Sequence, residues 1–497
     1  MKNIKKLSFI SILFVAAILL SNLISCKKNP ASEKENEPDI KNASEEIFEP
    51  YETTESAEEI RDAIPEIDFG GKTFNILVPD QWYGGTTHMI QEEITGEPVN
   101  DAQYLLKSKI DERFNVELKE TVTDNIWGTD YISKFILSGD DRFDIYFVMD
   151  IFVIDYARNK MVYNWNELVY IDLTKPYWDS NTNKSVTINS NMYFAFGAYD
   201  LSYYDFTDIL VFNKDMIQDY GLETPYDLVK SGKWTIDKFR EMAKQATADV
   251  NGDGKMDIND SYGYINVPKQ ILPSFWIAAG ELSVAKNADD YPYFNVPGNS
   301  RFYVVVDKIY EIMWDENIWC RNDRLENLWP ESKKLFSDNR ALFAAQTFYF
   351  LNEFRDIDTN FGIIPYPKFT EDQLQYYARV QGGSKMPIVP VTNLSPDKAG
   401  AILEAMACES YKTVIPQYYE VSLKRKNARD SESEEMLDLI FSNRVYDLGD
   451  TWWCNDFRDG LLRPMFTDNN RNLVSEIEKF EPKMNAIIDN LMQDFAD

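Results

Sequence analysis

The sequence predicts an α/β protein built as two lobes. Short apolar runs, typical of buried strands, alternate along the chain with stretches whose apolar residues recur at helical spacing. This alternation is characteristic of layered α/β folds with largely parallel sheets. About 430 residues remain once the polar N-terminal segment is set aside, which is more than one simple core accommodates. Two lobes are therefore expected.

The predicted elements are set by apolar periodicity and by helix caps. In chain order they are a strand over 73–78, a helix over 101–114, a strand beginning at 116, strands over 143–148 and 210–212, a helix beginning after Thr235, a strand over 261–265 and a helix over 431–443. The strands are rich in Val, Ile, Phe and Tyr, whereas the helix over 101–114 places its apolar residues on one face. Thr235 is the predicted N-cap of its helix, and Ser431 with Glu434 forms a capping-box pattern in the last one.

The N-terminus has the pattern of an export signal. Lys2, Lys5 and Lys6 precede an apolar run over 9–20, which is shorter than the roughly 20 residues that a membrane span needs. Leu-Ile-Ser-Cys, ending at Cys26, then resembles the bacterial lipobox, in which the cysteine thiol is lipidated and becomes the first residue of the mature protein. Residues 1–25 are the predicted signal peptide and Cys26 the lipidation site. The alternative is a plain signal peptide that contains a cysteine by chance.

The segment after Cys26 is predicted to be a tether. Residues 26–66 are rich in Glu, Asn, Ser, Pro and Lys and have almost no aliphatic periodicity. Such a segment buries too little apolar surface to offset its ordering entropy, so we expect a disordered acidic linker. It would hold a folded domain away from the membrane, where two acyl chains provide stable anchoring. The expected location is outside the cytoplasm, lipid-anchored to the cell membrane.

Composition excludes several classes of function. The formal net charge of −31 disfavours nucleic acid or an anionic membrane surface as a partner, because phosphates are repelled. His88 is the only histidine, so multi-histidine metal sites are excluded, and we interpret His88 as structural. Cys320, Cys408 and Cys454 remain once Cys26 is lipidated, so they allow one disulfide at most.

One loop has the spacing of a calcium site. Oxygen donors fall at positions 1, 3, 5, 9 and 12 of a twelve-residue segment, position 7 offers a backbone carbonyl, and Gly254 at position 6 permits the sharp turn. The predicted ligands are Asp249, Asn251, Asp253, Lys255 through its carbonyl, Asp257 and Asp260. Asp260 replaces the usual bidentate Glu. We predict a structural Ca²⁺ that joins a helix to a strand; the alternative is a solvated acidic loop.

Several segments together resemble a known family. They are 211–222 (VFNKDMIQDYGL), 232–239 (GKWTIDKF), 336–343 (FSDNRALF) with 361–367 (FGIIPYP), and 409–414 (ESYKTV) with 442–448 (SNRVYDL). Their order and spacing resemble the family 1 extracellular solute-binding proteins, the lipid-anchored receptors of carbohydrate ABC importers. The last pair is similar to a Gram-positive branch, in which a calcium-type loop recurs.

The resemblance implies a type 2 periplasmic-binding-protein fold, in which strands cross between two lobes more than once. The expected crossings lie near 203–209 and 361–365. Lobe one would comprise 67–204 and 362–415, and lobe two 205–361. The C-terminal helices, 416–497, would pack across both. The implied partners are a carbohydrate and the permease subunits of an ABC transporter, and a monomer is expected.

The cleft between the lobes should supply the ligand site. Sugars present apolar C–H faces and hydroxyl groups, so aromatic platforms beside carboxylates and amides are expected where strands end. The candidate ligand-binding residues are Trp82, Asp150, Tyr204, Asp205, Trp276, Tyr349 and Trp453. Core packing is the alternative for each aromatic.

Three functions are weighed on these grounds. The favoured one is a non-enzymatic receptor that captures a sugar or oligosaccharide for import. A secreted glycoside hydrolase that uses paired carboxylates is the main rival, because 82 acidic residues leave that possibility open, although no glycosidase motif occurs. A purely structural cell-surface lipoprotein conflicts with the crossover signatures.

Overall fold

The computed structural model describes residues 60–80, 88–124, 129–354, 357–420 and 430–496. All of them lie within one unit, 44–497. The predicted signal peptide, Cys26, most of the linker and Trp82 lie outside the described residues. In the described part of the chain, no helix is both long and apolar enough to span a bilayer.

The described chain alternates strands and helices as predicted. The strands are β1 Lys72–Pro79, β2 Val116–Thr123, β3 Ile145–Met149, β4 Asp208–Asn213, β5 Tyr262–Ile265, β6 Val284–Lys286, β7 Pro292–Phe294, β8 Ala341–Thr347, β9 Phe361–Ile364, β10 Ala378–Arg379, β11 Lys385–Ile388 and β12 Arg444–Val445. The helices are α1 Pro98–Phe114, α2 Thr129–Leu137, α3 Asp150–Arg158, α4 Ser180–Val186, α5 Ser202–Asp205, α6 Lys214–Asp219, α7 Pro225–Lys230, α8 Ile236–Gln245, α9 Pro268–Ala278, α10 Ser300–Tyr310, α11 Leu328–Ser337, α12 Pro396–Lys412, α13 Val414–Gln417, α14 Ser431–Ser442, α15 Arg463–Thr467 and α16 Leu473–Ala496. Short 3-10 or π turns lie at Trp165–Glu167, Glu311–Asp315, Asn322–Arg324, Tyr349–Phe354 and Arg458–Leu462.

The first lobe is built on a four-stranded sheet of order β11-β3-β1-β2. β1 pairs in parallel with β2 over its whole length and with β3 at Ile76 and Leu77, while β11 runs antiparallel to β3. All five residues of β3 are buried, which is why its sequence is a continuous apolar run. β2 alternates buried and exposed residues at its start because it lies at the sheet edge.

The second lobe is built on a sheet of order β5-β8-β4-β9. β5 pairs in parallel with β8, and β4 runs antiparallel to both β8 and β9. The C-terminal ends of β5, β8 and β9 therefore share one edge with the N-terminal end of β4. Every residue of β4 is buried, consistent with its central position.

The structure corrects the predicted boundary between the lobes. The segment 361–365 is not a crossing, because β9 pairs with β4 from Leu210 to Asn213 and completes the second sheet. The chain then stays on the second lobe, where the Tyr376 hydroxyl donates to the Val229 carbonyl. It returns to the first sheet only through β10 and β11, so lobe two extends to about 377 rather than 361. The resemblance placed a crossing here, whereas the four residues of β9 are all buried within the second sheet.

The C-terminal helices contact both lobes. α14 packs on β9, with the Ser433 hydroxyl accepting from the Ile363 amide at 3.1 Å. α16 contacts α3 of the first lobe through an Arg158–Asp494 ion pair and β7 of the second through Phe294 and Phe480.

The helix caps in the structure are those predicted from the sequence, except at one helix. The Thr235 side chain accepts from the Lys238 amide and begins α8, as predicted. At α14 the cap is Asp430, which accepts from the Ser433 amide, rather than Ser431. The two residues differ by one position, and a carboxylate accepts this bond as well as a hydroxyl does.

A buried carboxyl group stabilises the core of the first lobe. Glu404 of α12 is wholly buried and accepts from the Tyr177 hydroxyl, from Trp178 Nε1 at 3.0 Å and from the Asp172 amide at 3.1 Å. Burial raises the pKa of Glu404 to about 7. The three donors lower it again but do not offset the desolvation.

We predict that Glu404 makes stability pH-dependent in a defined window. Its pKa is raised on folding from 4.5 to about 7. The bound proton therefore stabilises the fold fully below pH 4.5, and this stabilisation is lost as the pH rises to about 7. Thermal melts from pH 4 to pH 8 should show the wild type losing stability relative to Glu404→Gln across that window. Glu478→Gln, a change at an exposed glutamate, is the control. If the difference in stability between the wild type and Glu404→Gln stayed constant across the window, the assignment would be contradicted.

Candidate functional site

The strand ends of the two sheets meet beside the segment that joins β10 to β11. Gln270, at the start of α9, donates through Nε2 to Gln381 Oε1 at 3.0 Å, and Gln381 in turn donates to Asp208 at the start of β4. Two residues further on, the Gly383 amide donates to Asp150 Oδ1 at 2.8 Å, at the end of β3. Gln381 and Gly383, two residues apart in the crossing segment, therefore connect both sheet edges. Ligands of open α/β sheets bind at such edges.

A pocket opens on the second-lobe side of this junction. It lies between the end of β5, the end of β8 and α11. Its lining residues are Ile265, Asn266, Val267, Gln270, Trp329, Ser332, Lys333, Ala345, Gln346, Thr347, Phe350 and Phe354. It is the candidate functional site, and we call it the cleft pocket.

An exposed indole is the most distinctive feature of the cleft pocket. Trp329 is 50% exposed, although an indole of this size is usually more buried. It stacks on Phe350 with the ring centroids 5.7 Å apart and the planes at 6°. Phe350 thus fixes the orientation of the indole. A braced, half-exposed aromatic ring is suited to stacking against an apolar ligand face.

Polar groups surround this ring. Asn266 and Gln270 contribute amides from the end of β5 and the start of α9, and Gln346 contributes another from β8. Thr347 is 4% exposed, and its Oγ1 atom has no hydrogen-bond partner in the described structure. A buried hydroxyl without a partner loses its hydration, so a ligand or water that bonds to it is favoured.

The first-lobe side of the junction contains buried ionisable groups. Asp150 is wholly buried and accepts from the Gly383 and Ile151 amides, and burial raises its pKa to about 7. Burial also raises the pKa of Asp200 to about 8 and lowers that of Lys385 to about 8. Asp150 therefore lies at the predicted strand end, behind the crossing segment and away from solvent.

The prediction that Trp276 binds ligand requires a correction. Its side chain is 0% exposed, its Nε1 donates to Asp447 Oδ2 at 2.9 Å, and its ring packs against Phe302 and Phe457. Every residue of α9 from Ile271 to Ala278 is buried, so the ring faces the core rather than the cleft. It presents no face to a ligand in this conformation.

Other candidate residues lie around the crossings. Tyr204 lies under the guanidinium of Arg444, 4.3 Å from its ring centroid, and Asp205 accepts from the Tyr418 hydroxyl. Both therefore pack where α5, α13 and β12 meet. Trp453 is buried and makes an edge contact with Trp452. None of these three residues lines the cleft pocket.

Tyr349 lies nearest to the cleft pocket among the candidates. It lies two residues after the end of β8 and makes an edge contact with Phe350, with the ring centroids 5.3 Å apart. Trp82 lies outside the described residues. Trp329 and Lys333 are not among the residues predicted from the sequence. They lie four residues apart, after the polar run 321–327, and this spacing is a usable signal that two side chains share one helix face.

The predicted calcium loop is present between α8 and β5. Asp249 accepts from the Gly252 and Gly254 amides, and the fully buried Asp260 accepts from the Val250 and Asp257 amides. In the described residues, no three His, Cys, Asp or Glu side chains converge closely enough to hold a metal ion. The donors are the hard oxygens that Ca²⁺ prefers, but here they bind backbone N–H groups. Calcium binding stays a prediction.

The histidine and three of the cysteines have defined places in the described structure. His88 pairs with Glu120 of β2, and this hydrogen bond raises the pKa of His88. Cys320, Cys408 and Cys454 are free and buried.

Comparison by sequence finds no relative: no protein-family model and no curated protein matches the chain. Comparison by structure finds the same fold in solved proteins of low sequence identity. The sugar-binding protein MalE from Xanthomonas citri matches with a TM-score of 0.59 and 10% identity, over 86% of this chain and 99% of that one. A sugar transporter from Rhizobium etli, in an open conformation, matches with a TM-score of 0.58 and 13% identity, over 83% and 99% of the two chains.

A third structure matches over a similar length. It is an ABC substrate-binding protein from Listeria monocytogenes in complex with cycloalternan, with a TM-score of 0.53 and 10% identity over 84% of this chain and 99% of that one. At sequence identities of 10–13%, structural similarity establishes the fold alone. The chain has the predicted two-lobed α/β architecture of type 2 periplasmic-binding proteins.

Proposed function

We propose that this protein is an extracytoplasmic receptor that captures a sugar or oligosaccharide in the cleft and delivers it to an ABC importer. The observation that carries the proposal is the half-exposed Trp329, braced by Phe350 beside amide and hydroxyl groups at the strand ends. An aromatic face binds the C–H surface of a sugar, and the polar groups bind its hydroxyls. The three similar structures are described as sugar-binding, sugar-transporting or ABC substrate-binding proteins, which supports this function.

Two lobes joined by crossing segments suit such a role. A ligand that contacts both sheet edges makes all of its contacts only when the lobes close, and this difference in affinity drives closure. Closure also removes water from the hydrogen bonds of the site, which strengthens them. The closed, loaded protein is then the form that a permease distinguishes from the empty one.

Binding without catalysis agrees with the lining of the cleft pocket. A glycoside hydrolase of the usual kind requires two carboxyl groups on either side of the scissile bond, at about 5–5.5 or 6.5–9.5 Å. The described lining of the cleft pocket contains no Asp or Glu. We therefore favour a receptor over the glycosidase alternative.

The first prediction tests the aromatic platform. Trp329→Ala should weaken glycan binding by about 2 kcal/mol or more, roughly 30-fold, because truncation of a buried anchor in a complex has costs of this size. A panel of glycans is screened for compounds that raise the melting temperature of the protein. Calorimetric titration then measures the affinity of each ligand found. Product analysis of the same mixtures reports any hydrolysis.

The control is Tyr220→Ala, which removes an exposed aromatic ring outside the cleft pocket and should leave the affinity unchanged. Equal affinity of wild type and Trp329→Ala would show that the site has been misplaced. Released product would favour the glycoside hydrolase. If neither a shift in melting temperature nor a product is seen, the structural lipoprotein is the remaining interpretation.

We further propose that the loop over 249–260 holds Ca²⁺ as a clamp between α8 and β5. Its carboxylates repel one another without a cation, and an extracellular site can be filled even at a dissociation constant of about 10⁻⁴ to 10⁻³ M. The ligands would be Asp249, Asn251, Asp253, Asp257, Asp260 and the carbonyl of Lys255.

The second prediction follows from this clamp. Excess chelator should lower the melting temperature of the wild type, and Asp253→Ala should abolish that calcium dependence. Asp289→Ala, which removes a carboxylate from the turn between β6 and β7, should retain it. Superimposable wild-type melting curves with and without chelator would refute calcium binding.

The third prediction concerns the anchor. We propose that Cys26 is lipidated and that residues 26–66 tether the domain to the cell membrane, where it acts as a monomer beside its permease. Cys26→Ala should leave the protein unprocessed or released, because the thiol is the proposed attachment point. Cys454→Ala is the matched control. Membrane retention of Cys26→Ala after detergent-free washing would contradict the lipobox.

A further inference from the structure

The cleft pocket differs in charge from the rest of the molecule. The chain has 82 acidic and 51 basic residues and a net charge of −31. Of the described residues that line the cleft pocket, Lys333 is the one with an ionisable side chain, and the others are apolar, amide or hydroxyl residues. The described lining of the cleft pocket in this acidic protein thus carries a single charge, and that charge is positive.

Among the described residues, no acid pairs with Lys333. No carboxylate in the described part of the chain lies within 4.0 Å of its Nζ, whereas the next residue, Lys334, pairs with Asp338 on the solvent side of the same helix. Lys333 lies four residues after Trp329 on α11, so the ammonium group and the indole share one helix face. The site therefore offers a stacking surface and an uncompensated cation side by side.

Two further groups favour an anion at the same place. α9 has eleven residues and begins at Pro268, and Asn266, Val267 and Gln270 around its N-terminus line the cleft pocket. The N-terminus of a helix carries a partial positive charge. The buried Thr347 Oγ1, which has no partner in the described structure, can donate a hydrogen bond into the same space.

We propose that the ligand of the cleft pocket is an acidic sugar, a saccharide that bears a carboxylate or a sulfate. Its ring stacks on Trp329, and its anionic group binds Lys333, with Thr347 Oγ1 and the N-terminus of α9 as further donors. This inference rests on the proposed function and specifies its ligand class. The net negative charge of the chain repels anions at long range, so a local cation is required to hold one.

The experiment uses a panel that contains both neutral and acidic oligosaccharides, among them trigalacturonate, its fully methyl-esterified form and a sulfated galactose tetrasaccharide. Hits are identified by melting temperature and measured by calorimetric titration on wild type, Lys333→Gln, Lys333→Arg and Lys334→Gln. We expect the hits to be anionic. Lys333→Gln should weaken their binding at least about tenfold, because a hydrogen bond to a charged group is lost. Lys333→Arg should retain most of the affinity, and Lys334→Gln should bind as wild type.

The outcomes separate this inference from the proposed function. Neutral hits whose affinity is unchanged in Lys333→Gln would overturn the acidic ligand and leave the sugar receptor standing. The absence of any hit would overturn both. Carboxylated hits without sulfated ones, or the reverse, identify which anion the site accepts. The unliganded melting temperature of Lys333→Gln shows whether the variant is folded, since the residue lies at the rim of the site.

Discussion

The geometry of the cleft depends on one buried ion-pair network. Arg379 of β10 is 2% exposed and makes a bidentate bond to Asp450, at 2.6 and 3.0 Å, while its Nη1 lies 3.2 Å from Asp208. Arg458 donates to the same Asp450. Burying a lone guanidinium would be strongly unfavourable, but here each charge has an opposite partner and directed hydrogen bonds. Loss of one partner would leave an uncompensated charge, which typically costs about 3–5 kcal/mol.

The network joins three segments of the chain at the place where the two sheets meet. Asp208 opens β4 just after the first crossing, Arg379 lies in the returning segment, and Asp450 follows β12 in the third. Because these segments are held to one another, their relative positions are fixed where the sheet edges meet. The proposed closure of the lobes would turn about these segments, where Gln381 bonds to the second sheet at Asp208 and the Gly383 amide bonds to Asp150 after β3.

Much of the fold could be predicted from the sequence because its determinants are local. Apolar runs identified β1, β2 and β3 of the first sheet and β4 and β5 of the second, and Thr235 identified the start of α8. The partner of β9 could not be identified in this way, since an apolar run states that a strand is buried but not which sheet contains it. The boundary between the lobes was therefore misplaced.

The candidate site was harder to predict for a related reason. Trp276 and Trp329 are the same residue type, yet one is enclosed by an apolar helix and the other stands half-exposed on Phe350. That difference arises from tertiary packing, which no local pattern records. Likewise, Tyr204 and Asp205 are at the crossing, where the sequence placed them, but they pack against Arg444 and Tyr418. Position along the chain was predictable, whereas the direction of each side chain was not.

The central claim is that ligand binding closes two lobes about the crossing segments. Small-angle X-ray scattering of the mature protein, without ligand and with a saturating glycan identified by the panel, tests it most directly. Closure predicts a smaller radius of gyration and a shorter maximum dimension in the loaded state. Saturated binding with an unchanged scattering profile would contradict the account.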